Sequence, residues 1–142
     1  MHKSYNHSKQ FLVEYKEQVL ATITNDVPWS VKCFTNFAIE HLFDDTLTVT
    51  EAKKSCNITS RNFTSRFNLY TGSTPKKYIL DHRINAAKYL LHETDHTVAE
   101  VSILVGFSTH SAFSKAFKKN LGGINPSKWA KNSHKISHKN SG

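Results

Sequence analysis

The sequence predicts an all-α protein in which two helix-turn-helix (homeodomain-like) subdomains are joined by a linker helix, about seven helices plus one at the N-terminus. Three observations predict it. The 142-residue chain holds only three prolines and five glycines, so long helices meet few breakers. Its apolar residues recur with a helical rather than a strand period. A pattern of roughly 50 residues also occurs twice.

In the repeat, Val49-Thr50-Glu51 aligns with Val98-Ala99-Glu100 at an offset of 49. Phe63, Phe67 and Gly72 align with Phe113, Phe117 and Gly122 at 50, and Pro75 and Tyr78 with Pro126 and Trp129 at 51. Each one-residue step falls at a turn or helix start, where an insertion disturbs least.

In the first copy Thr48 or Thr50 caps a short helix ending near Cys56. Asn57-Ile58-Thr59 forms a tight turn, and Thr59 caps a second helix over Ser60 to Tyr70. There Phe63, Phe67 and Tyr70 form the apolar face, while Arg61, Thr64, Ser65 and Asn68 face out. In the second copy a helix runs from about Val98 to Val105, and Gly106 supplies the positive φ of a sharp turn. Ser108 or Thr109 then caps a helix with Ala112, Phe113, Ala116 and Phe117 inside and His110, Ser111, Ser114, Lys115 and Lys118 outside. A short helix, a three-residue turn and a longer helix with a polar outer face make a helix-turn-helix.

Between the copies, Thr74 caps a linker helix with Pro75 at its first position. It runs to about His92, a rod of about 25 Å. Such a rod could hold two outer helices about 34 Å apart, one turn of a duplex. Pro28 to Phe43, with Trp29, Phe34, Phe37, Ile39 and Leu42, reads as a packing helix, and Ser127-Lys128-Trp129 begins a short closing one. The resulting division is 1–27 as an extension with an amphipathic helix from about Ser8 to Thr24, 28–73 as the first subdomain, 74–92 as the linker, 93–132 as the second subdomain and 133–142 as a flexible tail. The extension could cover a patch, dimerise or be the stub of something longer.

Charge points to a polyanion. The net charge is +8, with four Lys against six acids in residues 1–46 but 15 Lys and Arg against five acids in 47–142. No 18-residue apolar run and no signal-peptide core occur, so the expected location is the cytoplasm, at the nucleoid. Cys33 and Cys56 fit a reduced compartment; their sequence neither demands nor excludes a disulfide. His92/His96 and His134/His138 are four apart without the cysteines or carboxylates that would complete a zinc site. Without a phosphate loop or nucleophile elbow, the reading is no enzyme, no cofactor and no metal.

Residues from about Trp29 to Asn132 resemble the DNA-binding domain of the AraC/XylS family of bacterial transcription regulators. The resemblance is carried by Val98-Ala99-Glu100-Val101, Val105-Gly106-Phe107-Ser108, Phe113-Ser114-Lys115-Ala116-Phe117-Lys118-Lys119 and Pro126-Ser127-Lys128-Trp129, and by the linker run Arg83-Ile84-Asn85-Ala86-Ala87-Lys88-Tyr89-Leu90-Leu91 after Thr71-Gly72-Ser73-Thr74-Pro75. Three places depart from the family pattern: the loop Gly122–Pro126 is one residue longer, Lys53 replaces a small apolar residue, and Asn57 stands where Gly is frequent. The first helix pair is therefore expected to pack less tightly.

The resemblance implies sequence-specific binding of double-stranded DNA, with one helix of each unit in adjacent major grooves. By motif position the base-reading residues would be Arg61, Thr64 and Ser65, then His110, Ser111, Ser114 and Lys115. Arg61 suits a bidentate pair with guanine O6/N7, and Lys115 can donate to the same edge. Lys76, Lys77, Lys118, Lys119 and Asn120 are phosphate-contact candidates, the competing reading being a solvated face. Arg83, mid-rod beside Ile84, is expected to serve the structure. One chain could span both grooves; the oligomeric state is left open. The alternative function is an interaction module that contacts RNA polymerase or another regulator, with only weak DNA contact.

Overall fold

The structure, a computed structural model, describes residues 5–131; the expected tail at 133–142 lies outside them. Among these residues every regular element is a helix: α1 (Tyr5–Thr22), α2 (Trp29–Glu40), α3 (Val49–Ser55), α4 (Phe63–Thr71), α5 (Pro75–Glu93), α6 (Val98–Leu104), α7 (His110–Asn120) and a closing helix at residues 126–131.

Threonine starts four of them. The hydroxyls of Thr48, Thr74, Thr97 and Thr109 accept from the amides of Glu51, Lys77, Glu100 and Ala112, each satisfying a donor that the first turn leaves unpaired. Thr97 and Glu100 complete a reciprocal capping box. The second helix of the first unit departs from expectation, because it begins at Phe63 rather than Ser60. The Ser60 hydroxyl accepts from the Asn62 amide at 3.1 Å and its carbonyl from the Phe63 amide at 3.4 Å. This local turn competes with helix over 60–62 and leaves Arg61 in the turn before α4. The turn after α3 is made by Asn57 at φ 55°, a conformation Asn tolerates better than most side chains. Lys53 lies with its Nζ 5.9 Å from the Phe63 ring centroid. Ala52, Phe63 and Phe67 are fully enclosed beneath it, so the pair closes despite both substitutions.

Two cores result. The first gathers Val31, Phe34, Ile39, Leu42, Ala52, Phe63, Phe67 and Ile79; the second gathers Ile84, Ala87, Leu90, Leu91, Val101, Val105, Phe107, Phe113 and Phe117. Helix α5 therefore gives its N-terminal end to one core and the rest to the other. Trp129 closes the second unit, its indole N–H donating to the Lys88 carbonyl at 3.2 Å. Trp29 was expected to pack, but at the first position of α2 it lies 68 % exposed. Tyr70 is likewise half exposed at the far end of α4.

The cores meet at Arg83. Its Nε donates to the Leu42 carbonyl at 2.7 Å and its Nη2 to the Asp44 carbonyl at 2.8 Å. The guanidinium lies 5.6 Å from the Phe107 ring centroid. Burial pulls its pKa below the ordinary value, while Asp44 and Asp45 pull it back. Gly106 closes the same seam at φ 100°: a Cβ there would stand 3.0 Å from Arg83 Nε and 3.1 Å from the Phe43 carbonyl carbon. Beside it, the Tyr15 hydroxyl bonds His82 Nδ1 at 2.7 Å, and both Tyr15 and Tyr78 set ring edges against the imidazole. Burial and the neighbouring Tyr15 push the Tyr78 hydroxyl up to about 12.

Cys33 of α2 and Cys56, which ends α3, are joined in a disulfide with a Cα–Cα distance of 6.0 Å. This differs from the reduced pair the composition suggested. The spacing of 23 residues carried no signal for it, because α2 and α3 come together only when the first core forms.

Three outcomes follow from this architecture. Closing a loop of 23 residues should stabilise by about 3 kcal/mol, so reduction, or Cys33→Ser, should lower the melting temperature by about 10 °C in calorimetry. Arg83→Met takes a donor from two inward carbonyls, leaving that of Leu42 unpaired while that of Asp44 keeps the Leu47 amide, and should cost about 2–4 kcal/mol in urea unfolding, against less than about 0.5 kcal/mol for the exposed Arg66→Met. Burial lowers the His82 pKa below 6.5, partly offset by Asp81, so the unfolded chain takes up this proton first as pH falls. Stability should therefore drop as pH passes below 6.5 and level off below the folded pKa. Thermal melts of His82→Gln should show a shallower decline over that window than the parent.

Candidate nucleic-acid interface

Helices α4 and α7 are built alike. Each buries a pair of phenylalanines four residues apart, Phe63 and Phe67 in α4, Phe113 and Phe117 in α7. At 100° per residue such a pair fixes which face looks outward. On α4 that face holds Thr64, Ser65, Asn68 and Leu69, all exposed, with Arg61 exposed in the turn ahead. On α7 it holds His110, Ser111, Lys115, Lys118 and Lys119, exposed, with Ser114 half-buried.

The base-contact candidates of the second unit come together. His110, Ser111, Ser114 and Lys115 line one shallow, open depression, joined by Lys118. Those of the first unit lie within five residues, Thr64 and Ser65 on the exposed side of α4 and Arg61 in the turn ahead of it. The hydroxyls on both faces and the amines of α7 are of the kind that reach base edges, and Arg61 carries the fork that matches guanine.

The phosphate candidates divide in two. Lys76 at the start of α5 and Lys118 and Lys119 in the last turn of α7 are exposed. Lys77 and Asn120 share one carboxylate: Lys77 Nζ stands 2.6 Å from Asp81 Oδ2, and Asn120 Nδ2 donates to Asp81 Oδ1 at 3.1 Å. Asp81 thus ties the head of α5 to the tail of α7, a role the sequence did not announce. The sequence reading also passed over Leu69, 78 % exposed on α4. Its signal was present, since residue 69 falls four after Ser65 and off the Phe63/Phe67 face. Among the described residues no group of three or more His, Cys, Asp or Glu is placed to hold a metal ion.

Comparison with known proteins agrees with this geometry. A helix-turn-helix domain family model matches residues 53–132, more than half the chain. The Msm operon regulatory protein of Streptococcus mutans is 38 % identical over 93 residues, covering 66 % of this chain and 33 % of that protein. The probable transcriptional regulator LumQ of Photobacterium leiognathi is 32 % identical over 94 residues, covering 66 % and 37 %. The chain thus spans about a third of the length of these relatives. Among solved structures, the DNA-binding domain of AdpA in complex with a target DNA superposes with a TM-score of 0.64 at 27 % identity, over 72 % of this chain and 91 % of that one. The C-terminal domain of the response regulator yesN from Fusobacterium nucleatum gives a TM-score of 0.62 at 26 % identity, over 68 % and 93 %. With its paired helix-turn-helix units and the linker α5 between them, this chain belongs to the AraC/XylS family of helix-turn-helix proteins.

Proposed function

We propose that the chain binds specific double-stranded DNA and regulates transcription, laying α4 and α7 in adjacent major grooves. The observation that carries this is the pair of outward helix faces. They repeat the same buried Phe pair and present polar and basic side chains outward, all exposed but the half-buried Ser114. AdpA's DNA-binding domain, which was solved in complex with a target DNA, supports the reading by likeness, as do relatives named as operon regulators. In this reading Arg61, Thr64 and Ser65 read bases for the first unit and His110, Ser111, Ser114 and Lys115 for the second. Lys76, Lys118 and Lys119 hold phosphates, and Lys77 and Asn120 join them only by giving up Asp81. The units divide at 28–73, 74–92 and 93–132, and the protein works on the chromosome in the bacterial cytoplasm. Among the described residues no helix is long and apolar enough to cross a membrane.

A contact with RNA polymerase is the second reading. Trp29 and Ile103, 68 % and 73 % exposed, favour it, because they sit on helices other than α4 and α7 and suit a protein partner.

Selection from a random duplex pool should return one bipartite site whose affinity falls steeply with salt. Arg61→Ala and Lys115→Ala should each weaken it by about 5- to 150-fold and relax the preference at one base position. Lys118→Ala should weaken all sequences alike and reduce the salt slope by about one. A protein that enriches no sequence at low salt would sink the first reading and leave the second.

A further inference from the structure

Helix α1 lies outside the residues that the family model matches, and neither recognition face uses it. Its 18 residues make a rod of about 27 Å with one inward stripe: Ser8, Phe11, Leu12, Tyr15, Val19 and Leu20. The stripe touches both units in turn. Toward the second unit, Tyr5 donates to the Glu100 carboxylate at 3.3 Å and Ser8 Oγ meets His96 Nε2 at 2.8 Å. Phe11 stacks on Tyr89 with centroids 3.9 Å apart, and Leu12 enters the second core. At the middle, Tyr15 packs against both cores, bonds His82 and sets a ring edge on Phe43 at 6.0 Å. Toward the first unit, Lys16 donates to the Glu40 carbonyl at 3.2 Å, and Val19 and Leu20 join the first core.

We propose that α1 is a strap that fixes the angle and separation of the two recognition helices, so that the chain selects duplexes by the spacing between their half-sites. Without α1 the units would be joined by α5, the Arg83 seam and Phe43, a first-unit side chain that packs against both cores. A second line of contacts along the outside turns that pivot into a brace. Two linked binding modules discriminate spacing only as far as their connection is stiff. A rigid pair binds one spacing well and its neighbours poorly; a loose pair binds several about equally.

This inference rests on the DNA-binding reading for its consequence, but its mechanical part is measurable without DNA. Two variants of the full chain serve. Phe11→Ala/Tyr15→Ala removes strap contacts. Glu14→Gly/Gln18→Gly keeps every inward contact and softens the rod at two exposed positions, which guards against simple unfolding of the first variant. Spin labels at Asn68→Cys and Lys128→Cys report the distance between the units. The expected result is a narrow distribution in the parent that broadens in both variants while circular dichroism stays helical. An unchanged width in the folded variants overturns the strap, whatever the DNA result. On the selected duplex, inserting one base pair between half-sites should weaken the parent by about tenfold and the variants by less than about threefold, with single half-site binding equal in all. An equal penalty in parent and variants overturns the proposal. If no duplex is bound but the distribution broadens, the strap stands and the DNA reading fails.

Discussion

The joint between the two units, which α1 then braces from outside, is built on the guanidinium of Arg83. An arginine is costly to bury unless its donors are met. Here they are met by the carbonyls of Leu42 and Asp44, in the turn that follows α2. The same side chain lies under the Gly106 turn of the second unit and beside the ring of Phe107. One residue of the linker thus holds the turn after a first-unit helix and forms the floor of a second-unit turn. Glycine at 106 follows from that closeness as much as from its φ.

Locking the units matters because their outer faces differ. The face of α7 is strongly basic, with Lys115, Lys118 and Lys119 beside His110, whereas that of α4 has Thr64, Ser65, Asn68 and the apolar Leu69, with Arg61 ahead of it. Attraction to phosphate is largely independent of sequence, whereas discrimination comes from base edges. On the proposed function, the second unit draws the chain to the duplex more strongly than the first. The Arg83 seam, braced by α1, transmits that docking to α4, which arrives already oriented.

Much of this was legible because it is local. The caps at Thr48, Thr74 and Thr109, the phenylalanine pairs, Pro75 at the head of α5 and the positive φ of Gly106 all announce themselves within a few residues, whereas Thr59, expected as a cap, does not start α4. The start of α4 was misread by three residues because Ser60 offers the backbone a turn that competes with the helix. Trp29 was misread because periodicity does not say whether the first residue of a helix reaches past the core. The long-range pairs were not legible at all: Arg83 meets carbonyls 41 and 39 residues away, Cys33 meets Cys56, and Tyr15 meets His82 across 67 residues. Their side chains carried no sign of these partners, because the partners exist only once α1, α2 and α5 have docked.

Asp81 shows how such a hidden partner reshapes a site that sequence alone had named. Lys77 and Asn120 looked like free phosphate ligands, yet both hold the same carboxylate. An exposed lysine–aspartate pair contributes roughly 0–1 kcal/mol, so a phosphate could displace it at little cost. The gain on binding is then the difference between two anions rather than the full value of a new contact. Asn120 carries the larger consequence, since its bond joins the tail of α7 to the head of α5. Trading it for phosphate would loosen the second recognition helix at its far end just as its near end engages the bases. Lys118 and Lys119, with no such duty and already facing water, are the better-placed phosphate ligands of that helix, and Lys77 and Asn120 serve first to aim it.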